Sequence, residues 1–504
     1  MIKTGISTIE RSKRSGSATF YRSLSLLILM IMLGIGTACK EPDVAAPDPL
    51  PPIPTKQQLA WHRMETNVFV HFTVNTFTGR EWGFGNESPK IFNPTDFDPE
   101  QWMKTFKKVG FKGIILTAKH HDGFCLWPSK YTDHDIANSP FKNGNGDVVQ
   151  AVSKAARKYG LKFGIYLSPW DRNRADYGKP GYINYYRNQL RELFTNYGPI
   201  YEMWFDGANG GNGYYGGANE ERRIDRKHYY HWPKTLQIIK DLQPKTLLFS
   251  DSGPDLRWVG NENGIAGKTN WNMLTPDTLY PGKAHTSHLL RTGAIDGSDW
   301  IPAEVDVSIR PGWFYHPNED SLVKSPEKLF DIYLKSVGRG STLLLNVPPD
   351  KRGLIHREDI KALEAWRKKI DETFSDNLAA NASVQASSFR GGDESFAGSK
   401  VTDGNPDTYW TTDDSVKHGS LEIDLGSDQT IKYIMLQEYI TLGQRVKSFD
   451  VQIPQDGEWK TITGGTTIGY KRILPLNQPV NTSKIRVQIK DSRACPLISN
   501  IALF

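Results

Sequence analysis

The stretch YEMWFDG, residues 201–207, decides the predicted fold of this 504-residue chain. Its strand-forming residues end in an acid and a glycine. A helical pattern at 185–197 precedes it, and a loop rich in glycine and asparagine follows at 207–217. Parallel α/β barrels carry their catalytic groups at the carboxyl ends of such strands. Asp206 is therefore a candidate catalytic carboxylate, although a single acid at a strand end also serves simply to cap a turn.

Strand and helix patterns alternate from residue 57 to residue 375, and long loops dominate between 251 and 317. Such repetition predicts parallel βα units and a TIM-type (β/α)8-like barrel. A doubly wound open sheet is the alternative, but no G-x-G-x-x-G motif follows the first strand, which disfavours its dinucleotide-binding form. The predicted strands are 67–72, 113–120, 162–168, 201–206, 246–250 and 342–347, and the predicted helices are 99–109, 148–159, 185–197, 230–242, 326–337 and 357–373.

The pattern changes near Asp376 to short alternating strands separated by turn residues, which predicts an antiparallel β-sandwich over 376–504. The clearest of these strands are 420–425, 431–437, 449–453 and 484–489.

The first 39 residues have the composition of a targeting segment. Five basic residues precede an apolar run at 24–35, which is too short to span a membrane and suits a signal peptide. Small residues directly before Cys39 resemble a bacterial lipoprotein processing box. We predict a lipidated Cys39, with 40–56 as a stiff proline-rich linker, and a protein anchored in the bacterial cell envelope, periplasmic or on the outer surface. Plain secretion is the alternative.

The net charge of +6 is partly due to this segment, which holds five basic residues and one acid, a net +4. The remainder is near +2, from 6 minus 4, so no nucleic-acid partner is expected.

Polar residues gather at the ends of the predicted strands, which places them on one face of the barrel. His120 and His121 are adjacent on a strand and point to opposite sides, so they form a poor metal-chelating pair. Neither H-E-x-x-H nor G-x-S-x-G occurs, and neither a catalytic metal nor a serine nucleophile is expected. The candidate residues at the strand ends are His71, His120, His121, Asp122, Trp170, Asp171, Asp206, Asp251 and Asn346.

Two carboxylates beside a sugar ring are the requirement for glycoside hydrolysis. Asp206 is one of them, and the long loops after it offer Glu262 and Glu304 as the second. Spacing alone leaves the choice between these two glutamates open.

Six stretches together resemble the α-L-fucosidases of glycoside hydrolase family 29. RWVGNE and AEVDVSIRPGWFYH are similar to the subgroup that acts on α-1,3/1,4-linked fucose in branched, Lewis-type glycans. The six stretches are VFVHF (68–72), KHHDGF (119–124), GIYLSPWD (164–171), MWFDGANG (203–210), RWVGNENG (257–264) and WIPAEVDVSIRPGWFYH (300–316).

The resemblance implies a retaining double displacement through a covalent fucosyl-enzyme intermediate, with no cofactor. It implies Asp206 as nucleophile and Glu262 as acid/base, with Glu304 as runner-up. The alternatives are a catalytically silent, glycan-binding lipoprotein on the same fold and a related glycosidase with another sugar preference. The implied substrate-binding residues are His71, Glu81, Trp82, His120, His121, Tyr166, Trp204, Arg257 and Trp313.

The C-terminal region resembles a discoidin-like (F5/8 type C) domain. VTDGN at 401–405, Trp410 and the stretch 495–504 carry this resemblance. It allows a structural calcium in this domain, and it leaves open whether the domain binds sugar or supports the barrel.

Overall fold

The computed structural model of the protein describes residues 44–504, so the predicted signal peptide and Cys39 lie outside the described residues. A closed barrel of parallel strands forms its first part. Each strand pairs with the next in sequence, and β8 closes the barrel against β1. The barrel prediction is confirmed, and the open-sheet alternative is excluded. The barrel strands are β1 (Thr66–Val70), β2 (Gly113–Lys119), β3 (Lys162–Leu167), β4 (Glu202–Trp204), β5 (Leu247–Ser250), β6 (Leu256–Trp258), β7 (Ala303–Ser308) and β8 (Thr342–Asn346).

Two of these strands, β6 and β7, lie in the region that the sequence analysis assigned to long loops. β6 is only three residues long, and both strands contain buried charged residues, where apolar residues are the usual signal. These two strands position the residues discussed below.

Helices cover the outside of the barrel, and several of them start or stop at ordinary capping residues. Asp98 and Asp147 accept hydrogen bonds from backbone amides at the starts of α3 and α4, and α4 ends at Gly160 in the left-handed region. Across the described range, no helix is both long and apolar enough to cross a membrane. The helices are α1 (Lys56–His62), α2 (Val74–Thr78), α3 (Pro99–Lys108), α4 (Val148–Tyr159), α5 (Pro180–Asn196), α6 (Trp232–Leu242), α7 (Ser287–Thr292), α8 (Pro326–Lys335) and α9 (Arg357–Thr373).

The interior of the barrel is a packed aromatic and aliphatic core. Phe69, Tyr166, Trp204 and Phe249 point inward from different strands and are almost fully buried. Trp61 from α1 joins them and donates a hydrogen bond to Glu202. This packing gives the residues at the strand ends a rigid floor.

The C-terminal domain is antiparallel, with its own apolar core. The predicted strands 420–425 and 431–437 are parts of one long strand, β11. The pairing of β11 with β14 shifts register twice, as bulges in long twisted strands do. The spatial order is β10–β15–β11–β14–β12–β13, with β9 on β11. The strands are β9 (Ser383–Ala386), β10 (Trp410–Thr411), β11 (Gly419–Glu438), β12 (Val446–Gln455), β13 (Glu458–Gly465), β14 (Arg472–Ser492) and β15 (Leu497–Leu503).

Barrel and C-terminal domain share an apolar contact. Tyr433 packs against Phe330 of α8 and against Phe374 at the end of α9, and Phe504 also contacts Phe374. The segment predicted as a tether is fixed on the C-terminal domain at residues 48–51. There Leu50 N donates to Leu442 O at 2.9 Å, and Arg445 donates to Asp48 O at 2.7 Å.

Candidate active site

A small cavity of about 90 Å³ opens at the carboxyl ends of the barrel strands. Its wall combines aromatic rings, imidazoles and carboxylates, a combination that suits a small polyhydroxylated ligand with apolar faces. The lining residues are Phe69, His71, Trp82, His120, His121, Tyr166, Trp204, Asp206, Ala208, Glu262, Asp306 and Trp313.

Asp206 lies two residues beyond the end of β4, and each of its carboxylate oxygens accepts one hydrogen bond. The Tyr166 hydroxyl donates to Oδ2 at 2.9 Å, and the Ala208 amide donates to Oδ1 at 2.7 Å. Burial raises the pKa of Tyr166 well above its usual 10, so the phenol keeps its proton and remains a donor. These two bonds fix the plane of the carboxylate at the cavity wall.

The hydrogen bonds of His121 define its tautomer. Ser168 donates its single hydroxyl proton to Trp170 O at 2.7 Å, so its oxygen accepts from His121 Nδ1, also at 2.7 Å. His121 Nδ1 therefore carries the proton, and Nε2 keeps its lone pair. Nε2 lies 3.7 Å from Asp206 Oδ2. Burial lowers the pKa of His121 to about 4, although Asp206 opposes this, so the ring is neutral near pH 7.

His71 is fixed in the same way. The Asn346 amide nitrogen donates to Ser308 Oγ and Trp313 O, so its oxygen is the atom that accepts from His71 Nδ1 at 2.8 Å. Burial lowers the pKa of His71 to about 3. His71 and His121 thus each have a neutral Nε2 that can accept a hydrogen bond from a ligand hydroxyl.

Glu262 lies on the loop after β6 and lines the cavity together with Asp206. Part of its side chain reaches solvent, but surrounding protein withdraws water from the carboxyl group. This desolvation and the charge of Asp206 raise the pKa of Glu262 above its usual 4.5, although an interaction with Trp313 partly offsets the rise. A carboxyl group that holds its proton in this way is suited to act as an acid.

Comparisons with known proteins agree with this geometry. The family model described as Alpha-L-fucosidase matches residues 51–369, and the F5/8 type C domain model matches residues 383–501. Alpha-L-fucosidase 1 of Arabidopsis thaliana is 42% identical over 462 residues, which cover 91% of this chain and 88% of that protein.

The chain belongs to the α-L-fucosidase family.

Solved structures support the same assignment of this fucosidase. A glycoside hydrolase family 29 fucosidase from Ruminococcus gnavus, solved in complex with fucose, matches with a TM-score of 0.82 and 34% identity, covering 92% of this chain and 96% of that one. A family 29 member from an unknown rumen bacterium matches with a TM-score of 0.81 and 44% identity, covering 91% and 78%.

Of the twelve catalytic and substrate-binding residues that the family resemblance implies, the structure brings nine together around the cavity and leaves three outside it. Glu304 is fully buried below the cavity, where its carboxylate accepts from Trp204 Nε1 at 3.1 Å and pairs with Glu202. A ligand in the cavity cannot reach this carboxyl group. The runner-up prediction, Glu304 as acid/base, is therefore wrong. The nine residues that line the cavity are His71, Trp82, His120, His121, Tyr166, Trp204, Asp206, Glu262 and Trp313.

Arg257 and Glu81 are the other two residues outside the cavity lining. The Arg257 guanidinium is fully buried and donates to backbone carbonyls, among them Leu290 O at 2.7 Å, so it holds loops together rather than a substrate. The Glu81 carboxylate accepts from the Trp313 backbone amide at 2.7 Å, His316 Nε2 lies at the same distance from it, and a role in binding the substrate stays a prediction. Glu81 thus positions an aromatic wall of the cavity.

Three lining residues were missed in the sequence: Phe69, Ala208 and Asp306. Asp306 is buried and accepts a hydrogen bond from Trp258 Nε1 at 2.8 Å. Burial and the neighbouring Glu262 raise the pKa of Asp306 well above its usual range. Alternation along β7 could have indicated it, because Asp306 lies two residues after the inward-pointing Glu304.

Among the residues that the structure describes, no group of three or more His, Cys, Asp or Glu side chains is arranged to hold a metal ion. In the discoidin-like domain, Asp403 offers oxygen ligands of the type that calcium prefers. Its two carboxylate oxygens already accept hydrogen bonds from Asn405 N and the Thr408 hydroxyl, both at 2.8 Å. A structural calcium stays a prediction.

The low pKa values of His71 and His121 affect the pH dependence that we expect for kcat/KM of the fucosidase. An ordinary histidine becomes charged near pH 6.5, which would remove its acceptor nitrogen. His121 and His71 have pKa values of about 4 and about 3, so each stays neutral at pH values above its own pKa. We expect kcat/KM to show no histidine-dependent fall between pH 7 and pH 5. A pH–rate profile of fucoside hydrolysis tests this, and an acidic limb centred near 6.5 would contradict it.

Proposed function

We propose that this protein is a retaining α-L-fucosidase that uses Asp206 as nucleophile and Glu262 as acid/base. The proposal rests on one observation, that these two carboxyl groups line the same small cavity while two neutral acceptor imidazoles line its wall. The raised pKa of Glu262 and the fixed carboxylate of Asp206 support different roles for the two acids.

The reaction proceeds in two steps. Asp206 attacks the anomeric carbon of fucose and forms a β-linked ester, while Glu262 donates its proton to the departing glycosidic oxygen. In the second step a water oxygen attacks the same carbon and releases Asp206. Glu262, now a carboxylate, takes a proton from that water molecule. Two inversions restore the α configuration. His71 and His121 accept hydrogen bonds from sugar hydroxyls, and Trp204 and Trp313 supply apolar surface for the ring and its methyl group.

We also propose that the natural substrates are α-1,3/1,4-fucosylated, Lewis-type glycans. The similarity of RWVGNE and AEVDVSIRPGWFYH to the subgroup with that preference supports this. So does the position of Trp82, which lines the cavity and is 51% exposed, so that part of its ring is free to contact a neighbouring sugar.

The test compares a branched Lewis-type trisaccharide with a simple aryl α-L-fucoside under the same conditions. We expect kcat/KM to be about 100-fold higher on the trisaccharide, or about 2.7 kcal/mol of additional transition-state binding. Free fucose is measured, and proton NMR at early times shows α-L-fucose as the first product. Equal activity on both substrates would remove the subgroup assignment. Binding of the trisaccharide without any release would favour a silent glycan-binding protein.

The cellular location is a separate proposal. We propose that Cys39 is lipidated and anchors the protein in the bacterial cell envelope, because an apolar run and small residues precede it. A Cys39→Ala variant should move from the membrane fraction to the soluble fraction while its specific activity is unchanged. If wild type and variant fractionate alike, the anchor is disproved and plain secretion is favoured.

A further inference from the structure

The loop that carries Glu262 leads directly into the interface with the C-terminal domain. Residues 268–273, called here the interface segment, follow this loop in sequence and form hydrogen bonds with residues of the C-terminal domain. These residues are Gln444, Thr466, Thr467, Arg472 and Arg493.

Gln444 makes the most complete of these contacts. Its side chain is fully buried. Its Oε1 accepts from Asn272 N at 2.8 Å, and its Nε2 donates to Asn270 O at 3.0 Å. The side-chain amide therefore pairs with the backbone of the interface segment much as a neighbouring strand would. Removing it leaves a buried donor and a buried acceptor without these partners, which is a costly arrangement.

A second buried group ties the same segment to the start of the Glu262 loop. Arg257 of β6 donates to Asn270 Oδ1 at 3.1 Å and to Trp271 O at 2.9 Å. Glu262 follows β6 by four residues. The loop thus leaves the barrel at β6 and returns to a segment that is bound on one side by Arg257 and on the other by Gln444.

The loop between these two ends is also closely packed. Gly260 has a φ of +81° and no room for a Cβ, which would lie 2.6 Å from Ser287 O. Gly264 has a φ of +80° and packs against Ile332 of α8. A displacement of the interface segment is therefore expected to be passed to Glu262 rather than absorbed by slack within the loop.

We propose that Gln444, a residue of the C-terminal domain, positions the acid/base Glu262 of the barrel through the backbone of Asn270 and Asn272. This inference rests on the proposed role of Glu262. It gives the C-terminal domain a part in catalysis without any contact between that domain and the substrate. Gln444 is a positioning residue, because it acts only through the loop.

The test uses Gln444→Met, which nearly keeps the side-chain volume but cannot make the two hydrogen bonds. Two substrates are compared, a branched trisaccharide and α-L-fucosyl fluoride. In the trisaccharide the glycosidic oxygen of the leaving disaccharide needs a proton. Fluoride, the leaving group of fucosyl fluoride, needs little acid assistance. For both substrates, kcat/KM reports only the steps through departure of the leaving group.

We expect Gln444→Met to lower kcat/KM on the trisaccharide about tenfold and on fucosyl fluoride less than about twofold, because a misplaced acid affects only the first. Added to Glu262→Gln, it should cause no further loss on the trisaccharide. Gln452→Met, in β12 and away from the interface segment, is the matched control and should behave like wild type.

Each other outcome has a definite meaning. An equal fall on both substrates would show a general structural defect and overturn the proposal, as would no change on either. Thermal unfolding of the variant shows whether it is folded at the assay temperature. If Glu262→Gln itself fails to distinguish the two substrates, the proposed function of Glu262 fails, and that result is separate from the behaviour of Gln444.

Discussion

Replacing Asp206 by asparagine should lower kcat by about 10⁴-fold or more, which corresponds to roughly 5.5 kcal/mol or more of lost transition-state stabilisation. The asparagine oxygen can still accept from Ala208 N, and its NH2 group can donate to the Tyr166 hydroxyl oxygen, so the site should keep its shape. It cannot form the ester intermediate, because an amide is a poor nucleophile. Fucose release from a trisaccharide measures the loss, and circular dichroism and thermal unfolding confirm that the variant is folded.

Asp225→Asn is the matched control, since Asp225 is an exposed acid on the same long loop and pairs with His228 at 2.7 Å. Its activity should stay at the wild-type level. In Asp206→Gly, added azide can occupy the vacated space and attack the anomeric carbon, which gives β-L-fucosyl azide. Near-normal activity in Asp206→Asn would remove Asp206 as the nucleophile.

Replacing Glu262 by glutamine should lower kcat/KM on the trisaccharide by about 10³-fold, while the value on α-L-fucosyl fluoride falls less than about tenfold. The reason is that only the sugar leaving group requires a proton. In Glu262→Ala, azide is expected to intercept the ester intermediate from the side that water normally uses, giving α-L-fucosyl azide. The opposite azide configurations from the two sites separate nucleophile from acid/base.

Glu304→Gln is the control that decides between the two glutamates. Burial and the neighbouring Glu202 raise the pKa of Glu304 well above its usual 4.5, so the carboxyl group holds its proton more readily than a free glutamic acid does. Glutamine has nearly the same shape and can still accept from Trp204. Activity on both substrates should stay within about threefold of wild type. A selective loss on the trisaccharide in Glu304→Gln, with Glu262→Gln active, would reverse the assignment.

The sequence predicted the barrel well where its strands are apolar and separated by helices. It failed for β6 and β7, because Arg257, Glu304 and Asp306 are buried in them although charged residues normally mark solvent. Burial of these groups depends on partners far away in sequence, such as Glu202 and Trp204 on β4. The residue pattern within one β-strand contains no information about such partners.

The sequence also could not predict how deep in the barrel each site residue lies. Glu304 and Asp306 point to the same side of β7, because side chains two apart share a face. They differ in depth, and only Asp306, closer to the carboxyl end, reaches the cavity. The sequence predicted that polar residues would meet at this end of the barrel. The layer that each side chain occupies follows from strand register, which the sequence alone does not reveal.

The contact of Tyr433 and Phe504 with Phe330 and Phe374 has a consequence for how the protein is made. The ribosome adds the covering residues long after it has completed α9. Until then the nascent barrel presents an aromatic face to its surroundings, and the interface segment lacks its hydrogen bonds to Gln444. We therefore expect full activity only after the C-terminal domain has been synthesised and has folded against the barrel.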